Sequence, residues 1–563
     1  MAQALSVRNL SFRYKGAEKN ALNSVNFEAQ RGEFLVVMGP SGAGKSTLIS
    51  TLNGLIPHLI EGELEGNVVI DGWDTREHQT RDFATKVGLV FQDFETQLFS
   101  TNVQLEVAFG PENLALPPKE IIRRVQESLR SVGLKGFEER EPATLSGGEK
   151  QRLAIASVLA MKPKLLCLDE PTSELDPMGT DDIFAIARRV KRSRSITMIM
   201  VEHSSEEVLG ADRIILLTEG EIRAMGPPKT ILREVDLLRE AGIRPIPITE
   251  LFAQLGAHSL PLTLEEGLEH LRREGWRIDG AQYRSLRQTD ELRARRYGKV
   301  LIEARGLEYT YEGGFQALKG IGLRIREGEF VAIVGQNGSG KTTLIKHFNG
   351  LLHPTKGEVR VEGVEVRETD ILQLARRIGF VFQNPDHQIF AERVVEEVSF
   401  GPRNLGLPED AITDRVTRAL EAVGLLDSRE ADPFSLTKAE RQRVAVASVL
   451  ASTTKVIVLD EPTTGMDYRE SIRMMELIRE LNERGHTIVM VTHTLWIVSH
   501  YAHRVIVMRD GKIIRDGKTR EILSDLDGLK EASLKPPQMV SFGREWGDFA
   551  FLSPEECGRC LVS

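Results

Sequence analysis

Short apolar runs return along the chain, each closed by glycine or by charge: FLVVMG at 34–39, LLCLDE at 165–170 and ITMIMVEH at 196–203. Runs this brief, rich in β-branched and aliphatic residues, predict buried strands rather than helices. Between them lie helical segments, among them the alanine-rich LAIASVLA (153–160) and VAVASVLA (444–451). Strands alternating with helices place the chain in the α/β class. No apolar run reaches the ~18 residues that a membrane-spanning helix needs.

The same pattern is written twice. GEFLVVMGPSGAGKST (32–47) returns as GEFVAIVGQNGSGKTT (328–343), and VGLVFQDFETQLFS (87–100) as IGFVFQNPDHQIFA (378–391). LLCLDEPTSELD (165–176) returns as VIVLDEPTTGMD (456–467). Lys45 and Lys341 stand 296 positions apart, Gln92 and Gln383 291, Glu170 and Glu461 291, and His203 and His493 290. Four landmarks in one order at nearly one offset mean a duplicated domain. The first copy is expected over 1–235 and the second over 298–520. Residues 236–297 form a helical extension or linker, whose charged stretch RQTDELRARRYGK reads as solvated, and 521–563 form a tail.

Composition narrows the classes. At 563 residues the chain exceeds one core, and 41% hydrophobic with 28% charged residues is ordinary for a soluble protein. A net charge of −9 argues against a general nucleic-acid surface. The N-terminus MAQALSVRNLSFRY lacks a signal-peptide layout, so the chain is expected in the cytoplasm, with any membrane role coming through a partner. Cys167 falls in an apolar run and reads as a strand residue. Cys557 and Cys560 form a terminal C-x-x-C without further ligands for zinc, and read as an ordinary tail.

GPSGAGKS (39–46) and GQNGSGKT (335–342) fit G-x-x-x-x-G-K-[ST], each after a strand-like run. Glycines let successive N–H groups curl around phosphate oxygens at a helix N-terminus. The candidate nucleotide contacts are Gly39, Ser41, Gly42, Gly44, Lys45, Ser46 and Thr47 in one copy. In the other they are Gly335, Asn337, Gly338, Gly340, Lys341, Thr342 and Thr343. The lysines suit β- and γ-phosphates, and the Ser46 and Thr342 hydroxyls suit Mg²⁺. Asp169 and Asp460 end apolar strands and are candidate metal ligands, followed by Glu170 and Glu461 as candidate general bases. Tyr14 and Tyr311 precede the loops by 31 and 30 residues and are placed either to stack on adenine or to pack at a strand edge.

The ordered set of phosphate loop, glutamine loop, LSGGE, LDEPT and terminal histidine resembles the nucleotide-binding domain of ATP-binding-cassette proteins. The resemblance implies two tandem cassettes, each a mixed β-sheet core with a helical subdomain, binding ATP and Mg²⁺. It further implies head-to-tail pairing, in which one copy's signature completes the other's site. Gln92 and Gln383 would then contact Mg²⁺ and water, and His203 and His493 the γ-phosphate. FQDFETQLFS and FQNPDHQIFA, continued by VAFGPENLAL and VSFGPRNLGL, are similar to energy-coupling-factor importer ATPases of the cobalt and vitamin type. That likeness implies two partners, a transmembrane coupling protein and a small membrane substrate-capture protein, with the chain peripheral to the cytoplasmic membrane face. The first copy departs from the pattern at Asp93-Phe94-Glu95.

The signatures differ. TLSGGEKQR (144–152) keeps Ser146, Gly147 and Gly148, whereas SLTKAERQR (435–443) has Thr437, Lys438 and Ala439. Side chains at 438 and 439 deny the close backbone approach that glycine allows. The expectation is therefore a competent site with Lys341 and Ser146, and a slow one with Lys45 and Thr437. With Glu170 and His203 intact, hydrolysis at both sites is the competing expectation. Two other roles compete with import of a micronutrient: a twin-cassette ATPase acting on ribosomes or nucleic acid, and a fused sugar-importer ATPase. The short mixed linker speaks against the first, and the Q-L-F and Q-I-F segments against the second.

Overall fold

In the computed structural model, which describes residues 3–173 and 175–562, the apolar runs become central strands. Phe34–Met38, Leu165–Leu168 and Thr197–Val201 are buried along their whole length, as sheets covered on both faces require. Cys167 lies within this sheet, fully buried. The six-stranded sheet runs in the order 221–226, 213–218, 34–38, 197–201, 165–168, 87–90. Its strands pair in parallel, except the antiparallel edge 221–226.

A second, four-stranded sheet is built from 22–30, 3–14, 62–70 and 73–74. Here Leu22–Gln30 alternates buried and exposed positions, the mark of a strand with one wet face. A core of Leu5, Phe12, Leu35, Leu48 and Val201 fills the space between the two sheets. Three helices, Val103–Asn113, Pro118–Ser131 and Gly147–Ala160, make a separate helical layer. The alanines of Gly147–Ala160 are buried because the small side chains let neighbouring helices close in.

The second copy repeats each layer, with sheets ordered 316–326, 300–310, 356–361, 364–365 and 378–381, 456–460, 487–491, 330–334, 504–509, 512–518. Its helical layer is Val394–Asn404, Glu409–Ala422 and Lys438–Ala451. The chain divides into two compact units, residues up to Ile246 with Asp467–Arg469, and Pro247–Met466 with the chain from Glu470 on.

Within the second unit the segment from Pro247 and the C-terminal tail fold on each other. Arg277–Ile278 pairs antiparallel with Leu561–Val562, the Ile248 N–H donates to Gln538 Oε1 at 2.8 Å, and the Asp279 N–H donates to the Cys560 carbonyl at 2.7 Å. Arg520, buried, staples the charged helix Gly280–Ala294 to the tail through Asp290 Oδ2 (2.7 Å) and both oxygens of Glu556 (2.8 and 2.9 Å). Apart from such contacts that helix is solvated, with no buried residue. Cys557 and Cys560 are fully buried free thiols in helix Pro554–Cys560, and burial pushes the pKa of both thiols up.

Candidate functional site

In each copy the glycine-rich segment is the turn from a central strand into a helix. Residues 39–44 join Phe34–Met38 to Lys45–Leu52, and 335–340 join Phe330–Val334 to Lys341–Lys346. A Cβ at Gly39 would lie 2.1 Å from the Leu217 carbonyl oxygen, and one at Gly335 2.3 Å from that of Met508. Backbone passes there too closely for any side chain. Lys45 Nζ donates to the carbonyls of Gly39 (3.0 Å) and Pro40 (2.8 Å), and Lys341 Nζ to those of Gly335 and Gln336 (both 2.8 Å). Each ammonium is thus held across its own loop. Burial lowers the Lys45 pKa, opposed by Glu170.

Asp169 and Glu170 arrive together at the end of strand Leu165–Leu168, and Asp460 and Glu461 at the end of Val456–Asp460. Burial pushes the carboxyls of Asp169 and Asp460 up to about 6, and the adjacent glutamate adds to the shift. The Thr342 hydroxyl donates to Asp460 Oδ1 at 3.2 Å, while Asp169 Oδ1 is buried without a hydrogen-bond partner. Hydroxyl and carboxylate oxygens side by side form a hard donor set that suits Mg²⁺. Among the described residues no group of three or more His, Cys, Asp or Glu is placed to hold a metal ion by itself. The ion would complete its shell with phosphate and water oxygens, as Mg²⁺ commonly does.

Glu170 and Glu461 adopt left-handed backbone, with φ of 46° and 48°. For a residue with a Cβ this conformation is costly and is kept where surroundings enforce it, often at working sites. His203 Nε2 meets Glu170 Oε1 at 2.7 Å, Gln92 Nε2 donates to Glu170 Oε2 at 3.0 Å, and Lys45 Nζ stands 3.7 Å away. In the second copy His493 Nδ1 approaches Glu461 Oε2 at 2.8 Å, and the Thr464 hydroxyl donates to the same oxygen at 3.0 Å. Burial alone would raise both glutamates, yet the histidines and then the lysines more than offset it and hold them ionised. Gln383 is exposed and makes no hydrogen bond to Glu461.

The tyrosines tie to the loops. Tyr14 OH meets Thr47 Oγ1 at 2.9 Å and Tyr311 OH meets Thr343 Oγ1 at 3.0 Å. Each ring, about two fifths exposed, is braced edge-on by Phe12 or Tyr309 at 4.9 Å. Each ring therefore keeps part of its surface toward solvent.

Ser146 and Thr437 are N-caps of matching helices. Each closes a capping box with Glu149 or Glu440, in which the glutamate accepts from the cap N–H at 2.7 and 2.9 Å. A Cβ at Gly147 would meet nothing within 4 Å, so the fold itself does not demand glycine there. Lys438 lays its chain over Gly465, its Nζ 3.1 Å from where a Cβ would stand.

The glutamine-loop segments explain their own spelling. Gln97 Oε1 and Gln388 Oε1 accept from the N–H of Phe91 (2.9 Å) and Phe382 (3.2 Å), closing each loop. The departure at Asp93-Phe94-Glu95 preserves the link to the signature helix, because Glu95 pairs with Lys150 at 2.8 Å as Asp386 pairs with Arg441 at 2.6 Å. Beyond each loop an aromatic pair stands out, Phe99 on Phe109 and Phe390 on Phe400, with ring centroids 4.6 Å apart and nearly perpendicular. Buried Glu106 and Glu397 hold these turns by accepting two backbone N–H groups each, at 2.8–3.0 Å.

The ABC transporter family model matches residues 22–173 and 318–464. The chain belongs to the ATP-binding-cassette transporter family. A protein of Caldanaerobacter subterraneus subsp. tengcongensis, carrying the provisional name ABC transporter ATP-binding protein, is 51% identical over 558 residues, 98% of either chain. A likewise named protein of Methanosarcina mazei is 40% identical over 540 residues, 94% of this chain and 91% of its own. Among solved structures, cbiO1 of Clostridium perfringens, described as part of the ABC transporter complex cbiONQ, is 37% identical. It covers 42% of this chain and 96% of its own at a TM-score of 0.38. An ATP-binding cassette with bound ADP and Pi is 31% identical, covering 39% of this chain and 99% of its own at a TM-score of 0.37. This chain is therefore an ATP-hydrolysing cassette protein with two α/β cassettes, using ATP and Mg²⁺, and ATP-binding proteins of such transporters work at the cytoplasmic side of a membrane.

Glu202 lay outside the sequence reading. It is buried in the first copy, accepts from the Thr172 hydroxyl (2.6 Å) and from the N–H groups of His203 (2.9 Å) and Ser204 (3.0 Å), and burial raises its pKa. The second copy has Thr492 at that place. Only the comparison VEHS against VTHT in the sequence points to it.

Proposed function

We propose that this chain is the ATP-hydrolysing motor of a membrane importer for a micronutrient, a vitamin, a vitamin precursor or a transition-metal ion. It would drive a transmembrane coupling protein, itself bound to a small membrane substrate-capture protein, from the cytoplasmic face. The observation that carries this is the exposed aromatic pair presented twice by the same device. Phe99, Phe109, Phe390 and Phe400 are 47–62% exposed although each pair is rigidly seated by a buried glutamate. Large exposed aromatics held rigidly mark a docking surface, and their place beside the glutamine loop suits transmission from nucleotide to partner. The relatives' names say transporter, which favours this over action on ribosomes. No described helix is long and apolar enough to cross a membrane, so the membrane part would be the partner's.

The residues divide the work. ATP supplies the phosphoryl chemistry and Mg²⁺ neutralises its developing charge. Residues 39–47 and 335–343 would cradle the phosphates, Tyr14 and Tyr311 would offer their exposed ring surface to the base, and Ser46, Asp169, Thr342 and Asp460 would hold Mg²⁺, aided by Gln92 and Gln383. Glu461 and Glu170, kept ionised, would take a proton from the attacking water at a carboxylate oxygen. His493 and His203 would steady both that glutamate and the γ-phosphate. Ser146, Gly147 and Gly148 would complete the site of Lys341, whereas Thr437 with Lys438 and Ala439 would complete that of Lys45, leaving one competent and one slow site.

The test is co-purification from detergent-solubilised membranes. The wild-type chain is expected to bring a coupling-type membrane protein and a small, very hydrophobic one. A chain with all four phenylalanines changed to Ala should lose both while still binding ATP. Retention of the membrane proteins by that variant, or recovery of ribosomal proteins with the wild type, would overturn the reading.

A further inference from the structure

The second unit contains a cavity of about 550 Å³ remote in sequence from its phosphate loop. Its walls come from the end of the charged helix, the turn before strand Phe330–Val334, the start of strand Arg504–Arg509, and the C-terminal tail. Six cationic side chains line it: Arg293, Arg326, Arg504, Lys518, Arg520 and Arg559. Three carboxylates line it as well, and all three are already engaged. Asp290 and Glu556 pair with Arg520, and Glu329 pairs with Arg504 at 3.1 Å. Arg293, Arg326 and Arg559 have no ion pair among the described residues, and Lys518 faces only Glu521, at 3.4 Å. The cavity therefore carries positive charge that the protein does not neutralise.

The duplication supplies an internal control. Glu33 and Arg213 pair at 2.7 Å in the first copy, as Glu329 and Arg504 do in the second, so that ion pair belongs to the fold. The neighbouring positions differ. Gln30 and Asp212 stand where the second copy has Arg326 and His503, and Asp212 pairs with Lys191 at 2.7 Å. Scaffold requirements alone would give a neutral or acidic edge. The second copy gains the Arg326 charge and lacks the Asp212 carboxylate there, and the charged helix and the tail add Arg293 and Arg559 to the same space.

Flat surfaces accompany the charge. The rings of Tyr297 and His503 lie within 18° of parallel, centroids 6.3 Å apart, and both line the cavity. His503 Nδ1 is buried without a hydrogen-bond partner. Burial and then the charge of Arg293 hold that imidazole at a pKa of about 3, so it is neutral and available to one polar contact.

We propose that this cavity binds a small phosphorylated anion bearing a planar ring, of nucleoside-monophosphate size, at a site separate from the ATP sites. The volume lies within the range of small-molecule pockets. Guanidinium groups recognise phosphate by paired N–H donors, and several unpaired arginines favour multiple negative charge. The assignment stands independently of which cargo or partner the motor serves.

The experiment is titration calorimetry on the full chain carrying Lys45→Ala and Lys341→Ala, which weakens phosphate binding at the two loops. The probes are AMP, FMN, citrate and vesicles containing phosphatidylglycerol. AMP or FMN is expected to bind once per chain. Arg293→Glu with Arg559→Glu, both exposed positions, should weaken that binding at least tenfold, on the order expected for losing charge-assisted phosphate contacts. The exposed control Lys229→Glu should leave it unchanged. No AMP or FMN binding up to about 10 mM, a range beyond useful affinity, would overturn the site. So would binding that survives the double reversal. Equal binding of citrate would overturn the phosphate class, and binding of the vesicles alone would assign the charge to a lipid headgroup.

Discussion

Asp460, proposed as a Mg²⁺ ligand, shows what a buried carboxylate costs the fold. Its folded pKa of about 6 stands above an ordinary 3.8, because burial and then Glu461 penalise the charge. As pH rises from about 4 to 6 the unfolded chain therefore gives up this proton before the folded one does, and stability falls across that window. Asp460→Asn removes the penalty. The nucleotide-free variant is expected to be more stable at pH 7 by roughly 1–3 kcal/mol, read from denaturant midpoints. The same variant should lose the stabilisation that Mg²⁺ with ATP gives the wild type. In the wild type, apparent Mg²⁺ affinity should decline as pH drops through about 6, since a protonated carboxyl is a poor ligand. A variant no more stable than wild type would show that Asp460 is not strained by its charge. Residue identities at this site were legible because glycine, lysine and aspartate types are dictated by phosphate and metal. Backbone state was not: nothing in LDEP announces that Glu170 and Glu461 take positive φ, or that His203 and His493 turn different nitrogens toward them.

At the scale of elements, the signature helices show what folding does and does not need. Both helices keep the same capping box, and the glycines after Ser146 have room for side chains, the nearest atoms to a Cβ at Gly148 lying at 4.0 Å. Replacing both glycines with Lys and Ala, as in the second copy, should leave or slightly raise stability, since glycine in a helix costs about 0.5–1 kcal/mol relative to alanine. ATP turnover should nevertheless fall by about tenfold or more, as expected where side chains keep backbone donors from a phosphate. Loss of folding in thermal melts would instead make the glycines structural. The Arg520 staple is a contrasting case. Arg520→Met leaves the half-buried Asp290 and Glu556 without their cation, and is expected to cost about 1–3 kcal/mol of stability in the full chain. Of the 247–294 segment and its packing on the tail, the sequence showed only that the repeat runs on toward them. Leu238 and Leu529, Ala241 and Ala532, and Pro245 and Pro536 continue the 291 offset. The signal is faint because these short helices are specified by packing between segments distant in the chain, not by a phosphate-binding motif.

For the whole molecule, duplication with divergence is the informative feature. Both copies retain strand order, loop closure, aromatic pair and general-base candidate, so selection on fold alone would not separate them. They diverge in the signature, at Gly147-Gly148 against Lys438-Ala439, and beside the histidine, at Glu202 against Thr492. If each signature serves the opposite phosphate loop, Glu461 stands in the site with an intact signature and Glu170 in the site with an altered one. Glu461→Gln should then lower ATP turnover of the assembled transporter by about a hundredfold or more, the usual worth of a general base. Glu170→Gln should lower it by only a few fold, and ATP binding should persist in both. Steady-state phosphate release, paired with nucleotide binding on the same preparations, measures the difference. Equal losses would mean that both sites hydrolyse and that Lys438 and Ala439 are tolerated. A larger loss from Glu170→Gln would reverse the assignment, making the copy with buried Glu202 the working site and the glycines of its signature dispensable to turnover.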